Sequence, residues 1–249
     1  MTAGTHPAPA GPHSAGPFPG ATAVTQLAVY DWSSPDGLRG GSAHVHLACT
    51  EGYVVLGGHG RLQTLGPQGY EETPLSPMTV AWFSPGVIHR LVNEGDLRIL
   101  VVMQNGGLPE AGDAVLTFPP EQLADPAAYR RVASLADPGR VYATSSDAAR
   151  HRKDLAVQGF LQLRERVAAE GPGALDDFYR AAGALVAEQL DAWRELWSTG
   201  PMAAATRTGE QIEALARGDL RHLRAGGLAV VDPPEERRYG MCGRLTAYE

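Results

Sequence analysis

Cysteine is nearly absent. Cys49 and Cys242 are the two in 249 residues, and they cannot build the disulfide framework of a small secreted domain. Basic runs are missing too, and the formal net charge is −7, which argues against phosphate-backbone binding as the main task. No apolar stretch reaches the ~18 residues of a membrane helix. The chain does not open on a basic segment followed by an apolar one, so no secretory signal is expected. These absences together predict a soluble, cytoplasmic protein with no nucleic-acid or membrane partner. Charged residues make up only 20%, too few for a wholly disordered chain. What the sequence does have is 43% hydrophobic residues, 30 glycines and 19 prolines. That is enough for a sizeable core interrupted by many turns, and the length suits one or two domains.

The pattern divides the chain into four parts. Residues 1–22 are Ala, Gly, Pro, Ser and Thr with His6 and His13 among them. They offer nothing to bury, and a disordered tail is expected, its histidines solvated. Residues 23–118 read as short strands punctuated by Gly and Pro: Gln26 to Tyr30, Ser42 to Ala48, Gly52 to Leu56, Arg61 to Leu65, Thr79 to Phe83, His89 to Asn93 and Leu97 to Gln104. Gly57 to Gly60 and Gly66 to Gly69 read as turns, and the whole as a sandwich or barrel. Residues 119–225 turn helical. Leu175, Phe178, Ala182, Leu185, Val186, Gln189, Trp193 and Leu196 fall at steps of three and four. Thr208 with Gln211 suggests the capping box of a further helix. Residues 226–249 read as strands returning to the β part, at Leu228 to Val231 and Tyr239 to Tyr248. The expected fold class is mainly β with an α-helical C-terminal region.

The chemistry concentrates in two short stretches. The first runs Gly41, His44, His46, Cys49, Glu51, Tyr53, Gly57; the second is Pro85, Gly86, His89, Asn93. His44 and His46 stand two apart on a predicted strand, so their rings project from one face. Glu51 would point to the opposite face of an unbroken strand, and a bend near Cys49 and Thr50 would return it. His89 follows a Pro-Gly turn and can arrive from a neighbouring strand. A carboxylate inside a small barrel is costly unless paired or metal-bound. No Arg or Lys lies between His44 and Glu51 to pair with it. A divalent cation would neutralise Glu51 and use all three imidazoles, leaving about two positions open on a six-coordinate ion. One carboxylate offsets half of a dication, so the centre favours an anionic or enolisable oxygen ligand.

Both stretches resemble the two motifs of the cupin superfamily. The first motif has a shortened spacer from Gly41 to His44, and the second lacks the usual residue between Pro85 and Gly86. Every ligand type is nevertheless in place. The resemblance implies a cupin-type jelly-roll β-barrel over roughly residues 25–118, overlaid by a helical layer. It implies His44, His46, Glu51 and His89 as ligands of one divalent transition metal: Fe, Mn, Ni or Zn. A homodimer is a further expectation from the resemblance.

Tyr53 and Val55 share the inward face of Glu51 by alternation. Tyr53 can donate to a metal-bound ligand or fill the barrel. His59 can shuttle protons at the barrel mouth or stand as an exposed turn residue. Arg90 should face outward, and Asn93 should bond a turn. An inward Arg anywhere in the barrel would indicate a carboxylate or phosphate substrate. Among functions, the resemblance puts first a metal-dependent oxidoreductase, a dioxygenase acting on a small oxygen-rich molecule. Second stands a metal-assisted isomerase, epimerase, lyase or cyclase, which needs a base that is not a ligand. Third is a small-ligand sensor without turnover.

Overall fold

The computed structural model describes residues 18–135 and 145–248. Most of the expected N-terminal tail, with His6 and His13, lies outside them. Nine strands make one antiparallel system: β1 Ala23–Val29, β2 His44–His46, β3 Glu51–Gly66, β4 Gly69–Leu75, β5 Val80–Phe83, β6 Ile88–Met103, β7 Ala114–Leu116, β8 Arg238–Tyr239 and β9 Gly243–Tyr248.

Pairing divides each of the two long strands. Residues Glu51–Val54 of β3 pair with β5 on one edge, whereas Gly60–Gly66 pair with β4. In β6 the Arg98–Met103 half pairs with β1, and His89 in the other half pairs with His44 of β2. Two layers follow: β5-β3-β6-β1-β9-β8 and β4-β3-β6-β2-β7, joined through the continuous strands β3 and β6. The corner is made by bulges, as in other sheets whose strands switch layers. The β3–β6 register shifts between Val55 and Gly60.

The glycine cluster expected to form a turn at Gly57–Gly60 is this bulged corner, and β3 runs through it. Gly58 has φ of +73°, and a Cβ on Gly60 would lie 2.1 Å from the carbonyl oxygen of Val92. Glycine is required there because the backbones touch. For the same reason His89–Asn93 and Leu97–Gln104 are one strand rather than two.

Inward alternation along β3 buries Glu51, Tyr53 and Val55, and from β6 it buries His89, Leu91, Leu97 and Ile99. Asn93 turns the β6 corner. Its Oδ1 accepts from the amides of Gly95 and Leu97, both at 3.1 Å, and its Nδ2 donates to the Val29 carbonyl. Arg90 departs from expectation. It is fully buried, held by Asp36 at 2.6 Å from the loop that covers this side of the sheet.

Among the described residues, six α-helices come between β7 and β8: α1 Pro120–Leu123, α2 Pro126–Ala133, α3 Ser145–Glu170, α4 Asp176–Val186, α5 Leu190–Trp197 and α6 Ala203–Ala216. The stripe from Leu175 to Leu196 is interrupted at Ala187–Gln189, which splits it into α4 and α5. Helix α3 comes closest to the barrel at Gly159, where a Cβ would meet the Thr117 carbonyl at 2.0 Å. There Thr117 Oγ1 donates to the Ala156 carbonyl at 2.7 Å. Two further bonds tie helices to loops of the barrel. Tyr179 of α4 donates to the Gly86 carbonyl at 2.8 Å, and Trp193 of α5 donates to the Ala111 carbonyl at 2.9 Å.

The capping box at Thr208 is not formed. Helix α6 starts five residues earlier, and the Thr208 hydroxyl donates back to the Ala204 carbonyl, the interior habit of that residue. Leu228–Val231 forms no strand and is exposed, so the expected strand there is not made. Return to the barrel is made by β9, which pairs with β1 from Gly243 to Tyr248.

Candidate metal centre

β2 and the first half of β6 put His44 and His89 directly opposite each other, with Nε2 atoms 3.1 Å apart. His46, two residues along β2, keeps the same face. The chain bends after Cys49, and Glu51 opens β3 in the other layer. Its Oε2 lies 3.0 Å from His89 Nε2 and 3.3 Å from His46 Nε2. One ligand atom from each of the four residues falls within 4.8 Å of the others, and all four side chains are buried. Two layers of the barrel thus supply one group that could hold a metal ion.

The outer nitrogens explain why the inner ones converge. Nδ1 of His44 faces the Ser42 carbonyl at 3.2 Å, and Nδ1 of His89 faces the Val87 carbonyl at 3.0 Å. Nδ1 of His46 faces the Asp113 carboxylate at 2.8 Å. Each acceptor takes the Nδ1 hydrogen and turns Nε2 inward, as around metal-ligating histidines generally. Lone pairs on His44 and His89 that face each other at 3.1 Å repel unless a proton or metal ion stands between them. His46 Nε2 and Glu51 Oε2 are buried without any properly aligned hydrogen bond. Orphaned buried polar atoms of this kind are rare, and a divalent cation would satisfy both. The donor set of three imidazoles and one carboxylate fits a first-row transition ion.

Asp113 went unnoticed in the sequence. Besides His46, its carboxylate accepts from the amides of Leu47 and Ala48 at 3.1 and 2.6 Å. It therefore fixes the ring and the strand end together.

Titration follows this geometry. Burial alone would lower His46, but Asp113 and Glu51 outweigh it and raise the imidazole to about 9. His44 is driven well below its ordinary value by burial, and then by the neighbouring His89 and His46. Burial opposes ionisation of Glu51, yet His46 and His89 hold the carboxyl well below the usual range. Burial, and then Glu51, push the Tyr53 phenol well above its ordinary value.

The group opens into a cavity of about 260 Å³. Leu27, Tyr53, Val101, Met103 and Leu245 supply walls, and Cys242 lies beside His44, its Sγ 3.9 Å from Nδ1. Tyr53 reaches the site, its ring 6.4 Å from that of His89. His59 does not. It sits exposed on the bulged corner, its ring lying over Gly95, and it is absent from the cavity lining. The bulge turns its side chain outward, which agrees with the exposed reading of His59 and not with the proton shuttle. Trp193 is buried on the loop that carries Asp113, whereas Trp197 is 43% exposed.

No known family matches the chain, and no curated protein does. Solved structures resemble the barrel. One is an uncharacterized protein from Klebsiella pneumoniae with a double-stranded β-helix domain, at 18% identity and a TM-score of 0.29. The overlap covers 34% of this chain and 69% of that one. Another is a predicted oxalate decarboxylase from Thermotoga maritima, at 22% identity and a TM-score of 0.26, with coverages of 33% and 64%. A third is Streptomyces Pac13, a nucleoside dehydratase solved as variants with uridine, at 14% identity and a TM-score of 0.28. There the coverages are 36% and 63%, so the chain spans just under two thirds of the latter two proteins. The strand pairing and the group of three histidines and one glutamate agree with the cupin-type barrel that the two sequence motifs imply.

Proposed function

We propose that the protein is a metal-dependent enzyme acting on a small oxygen-rich organic molecule, and that its reaction is oxidative, of the dioxygenase type. His44, His46, Glu51 and His89 would hold the ion. A redox-active divalent ion, when bound, supplies electron transfer between a ligated substrate and dioxygen. The observation that carries the oxidative reading is the cavity lining. A Lewis-acid isomerase or lyase needs a non-ligand base at the substrate, and the inner wall offers none that is ionised. Tyr53 is held protonated by burial and by Glu51. Cys242 is pushed up to about 12 by burial and then Glu51. Glu110 borders the cavity but is exposed.

The chain's own contributions are positional. Tyr53 presents a hydroxyl donor beside Glu51, suited to a substrate oxygen. Leu27, Val101, Met103 and Leu245 keep water from the reacting centre. Tyr179 and Trp193 hold the Gly86 turn and the Asp113 loop, so the helical layer braces the site.

The test is an oxygen-electrode screen of Fe(II)-loaded protein against small hydroxy-, keto- and phenolic acids. Oxygen uptake in proportion to product is expected. Turnover that proceeds anaerobically with Zn(II) and consumes no oxygen would overturn the oxidative reading in favour of the isomerase or lyase class.

A further inference from the structure

Helix α3 turns a stripe of Ala149, Ala156, Phe160, Leu163 and Val167 toward the barrel. Arg152 falls on this stripe, where an apolar residue is expected. It is only 6% exposed. Its Nη1 donates to the Ala133 carbonyl at 3.0 Å and its Nη2 to the Gly240 carbonyl at 2.6 Å. Its Nε is buried without a partner. A guanidinium carries five N–H donors, and these contacts with described residues use two of them. Among the described residues no carboxylate pairs with Arg152, although every other buried cation of this barrel and α3 has one: Arg90 has Asp36, and Lys153 has Asp154. An unpaired buried cation is costly.

Arg152 also lines the cavity that contains His44, His46 and Glu51. The two acidic residues of that lining are Glu51, engaged with the histidines, and Glu110, exposed at the edge. The cavity therefore joins a dication site carrying a single carboxylate to a second fixed positive charge, with apolar walls between.

We propose that Arg152 anchors a carboxylate group of the molecule that enters this cavity. The substrate class is then a small organic acid whose carboxylate meets the guanidinium while its apolar body lies along Leu27, Val101 and Met103. This deepens the proposed function and rests on its reading of the cavity as the substrate site. Arg152 is a specificity-determining residue in this account, because planar N–H donors match a carboxylate and not its neutral amide.

Benzoate and benzamide are probes of equal shape that differ in charge. Their binding is to be measured calorimetrically on the full chain, Zn(II)-loaded and metal-free. Benzoate is expected to bind wild-type protein at least tenfold more tightly than benzamide in both forms. Arg152→Gln should cut benzoate affinity at least tenfold and leave benzamide unchanged, and Arg152→Lys should restore part of the preference. A merely structural clip between two carbonyls would not move that ratio. If Arg152→Gln does not fold, the wild-type ratio in metal-free protein at pH 10, where the cavity imidazoles carry no proton, decides by itself, and a ratio near one overturns the proposal. A folded Arg152→Gln with unchanged benzoate affinity overturns it as well. A preference that vanishes on metal removal would place the carboxylate on the metal and overturn it too. Failure of the protein to take up metal, with the Arg152-dependent preference intact, would instead remove the enzyme reading and leave the anion site standing.

Discussion

Asp113→Ala should weaken metal binding ten- to a hundredfold although it removes no ligand. That is the range typical for deleting the outer partner of a metal-bound histidine. The carboxylate takes the Nδ1 hydrogen of His46 at 2.8 Å and the amides of Leu47 and Ala48. Without it, His46 loses both its orientation and the negative charge that makes Nε2 a stronger donor. The Ala48 amide also loses its acceptor, whereas the Leu47 amide keeps the Asp113 backbone carbonyl at 3.3 Å. Asp113→Asn should lie between, since an amide oxygen can still accept from the backbone but carries no charge. Competition with a coloured chelator measures the affinities. Equal affinity in wild type and Asp113→Ala would mean that the His46–Asp113 pair is structural only.

Metal uptake at pH 7 should release about one proton, and affinity should rise about tenfold per pH unit from 7 toward 9, then flatten. In the metal-free protein His46 is raised to about 9, because Asp113 and Glu51 outweigh its burial. It is therefore protonated at pH 7 and must lose that proton before Nε2 can coordinate. His44 is already neutral there, driven down by burial and by His89 and His46, and contributes no proton. The same shift has a consequence for stability without metal. His46 binds its proton more tightly folded than unfolded. Its contribution is complete below about 6.5, the unfolded value, and disappears as pH rises through about 9. Chelated protein should accordingly melt lower at pH 9 than at pH 7, while loaded protein should lose little over that interval. Calorimetry in buffers of different ionisation enthalpy counts the proton. Release of none at pH 7 would show that His46 is neutral before the metal arrives.

The group of three histidines and one glutamate was legible because it depends on short-range geometry. His44 and His46 alternate correctly on a strand, and the bend after Cys49 that returns Glu51 is marked by the end of the apolar pattern. His89 follows a turn whose Pro85 and Gly86 announce it. Asp113 was not legible. It lies sixty-seven residues from His46, in a loop where Gly112 has φ of +99°, and an aspartate there reads as a turn former. Arg152 was hidden for the opposite reason. A cation on a long helix reads as solvated, and only the packing of α3 on the barrel shows that its face is buried. His59 misled because four residues with three glycines look the same whether they close a turn or form the bulged corner of a continuous strand. Arg90 followed strand alternation away from His89, but the covering loop with Asp36 makes the far face an interior as well. In the helical half, the periodicity located the buried stripe of α4 and α5. Helix ends depend on single hydrogen bonds such as the one from Thr208 to Ala204, and the pattern did not place them.

His44, His46, Glu51 and His89 are proposed to form a metal site. Elemental analysis of protein purified without added metal and without a chelating tag tests it most directly, alongside His46→Ala and Glu51→Ala. About one equivalent of a transition metal is expected in the wild type, lost in both variants, with a chelator lowering the wild-type melting temperature alone. No metal above background in the wild type, and melting temperatures that neither metal nor chelator moves, would contradict it.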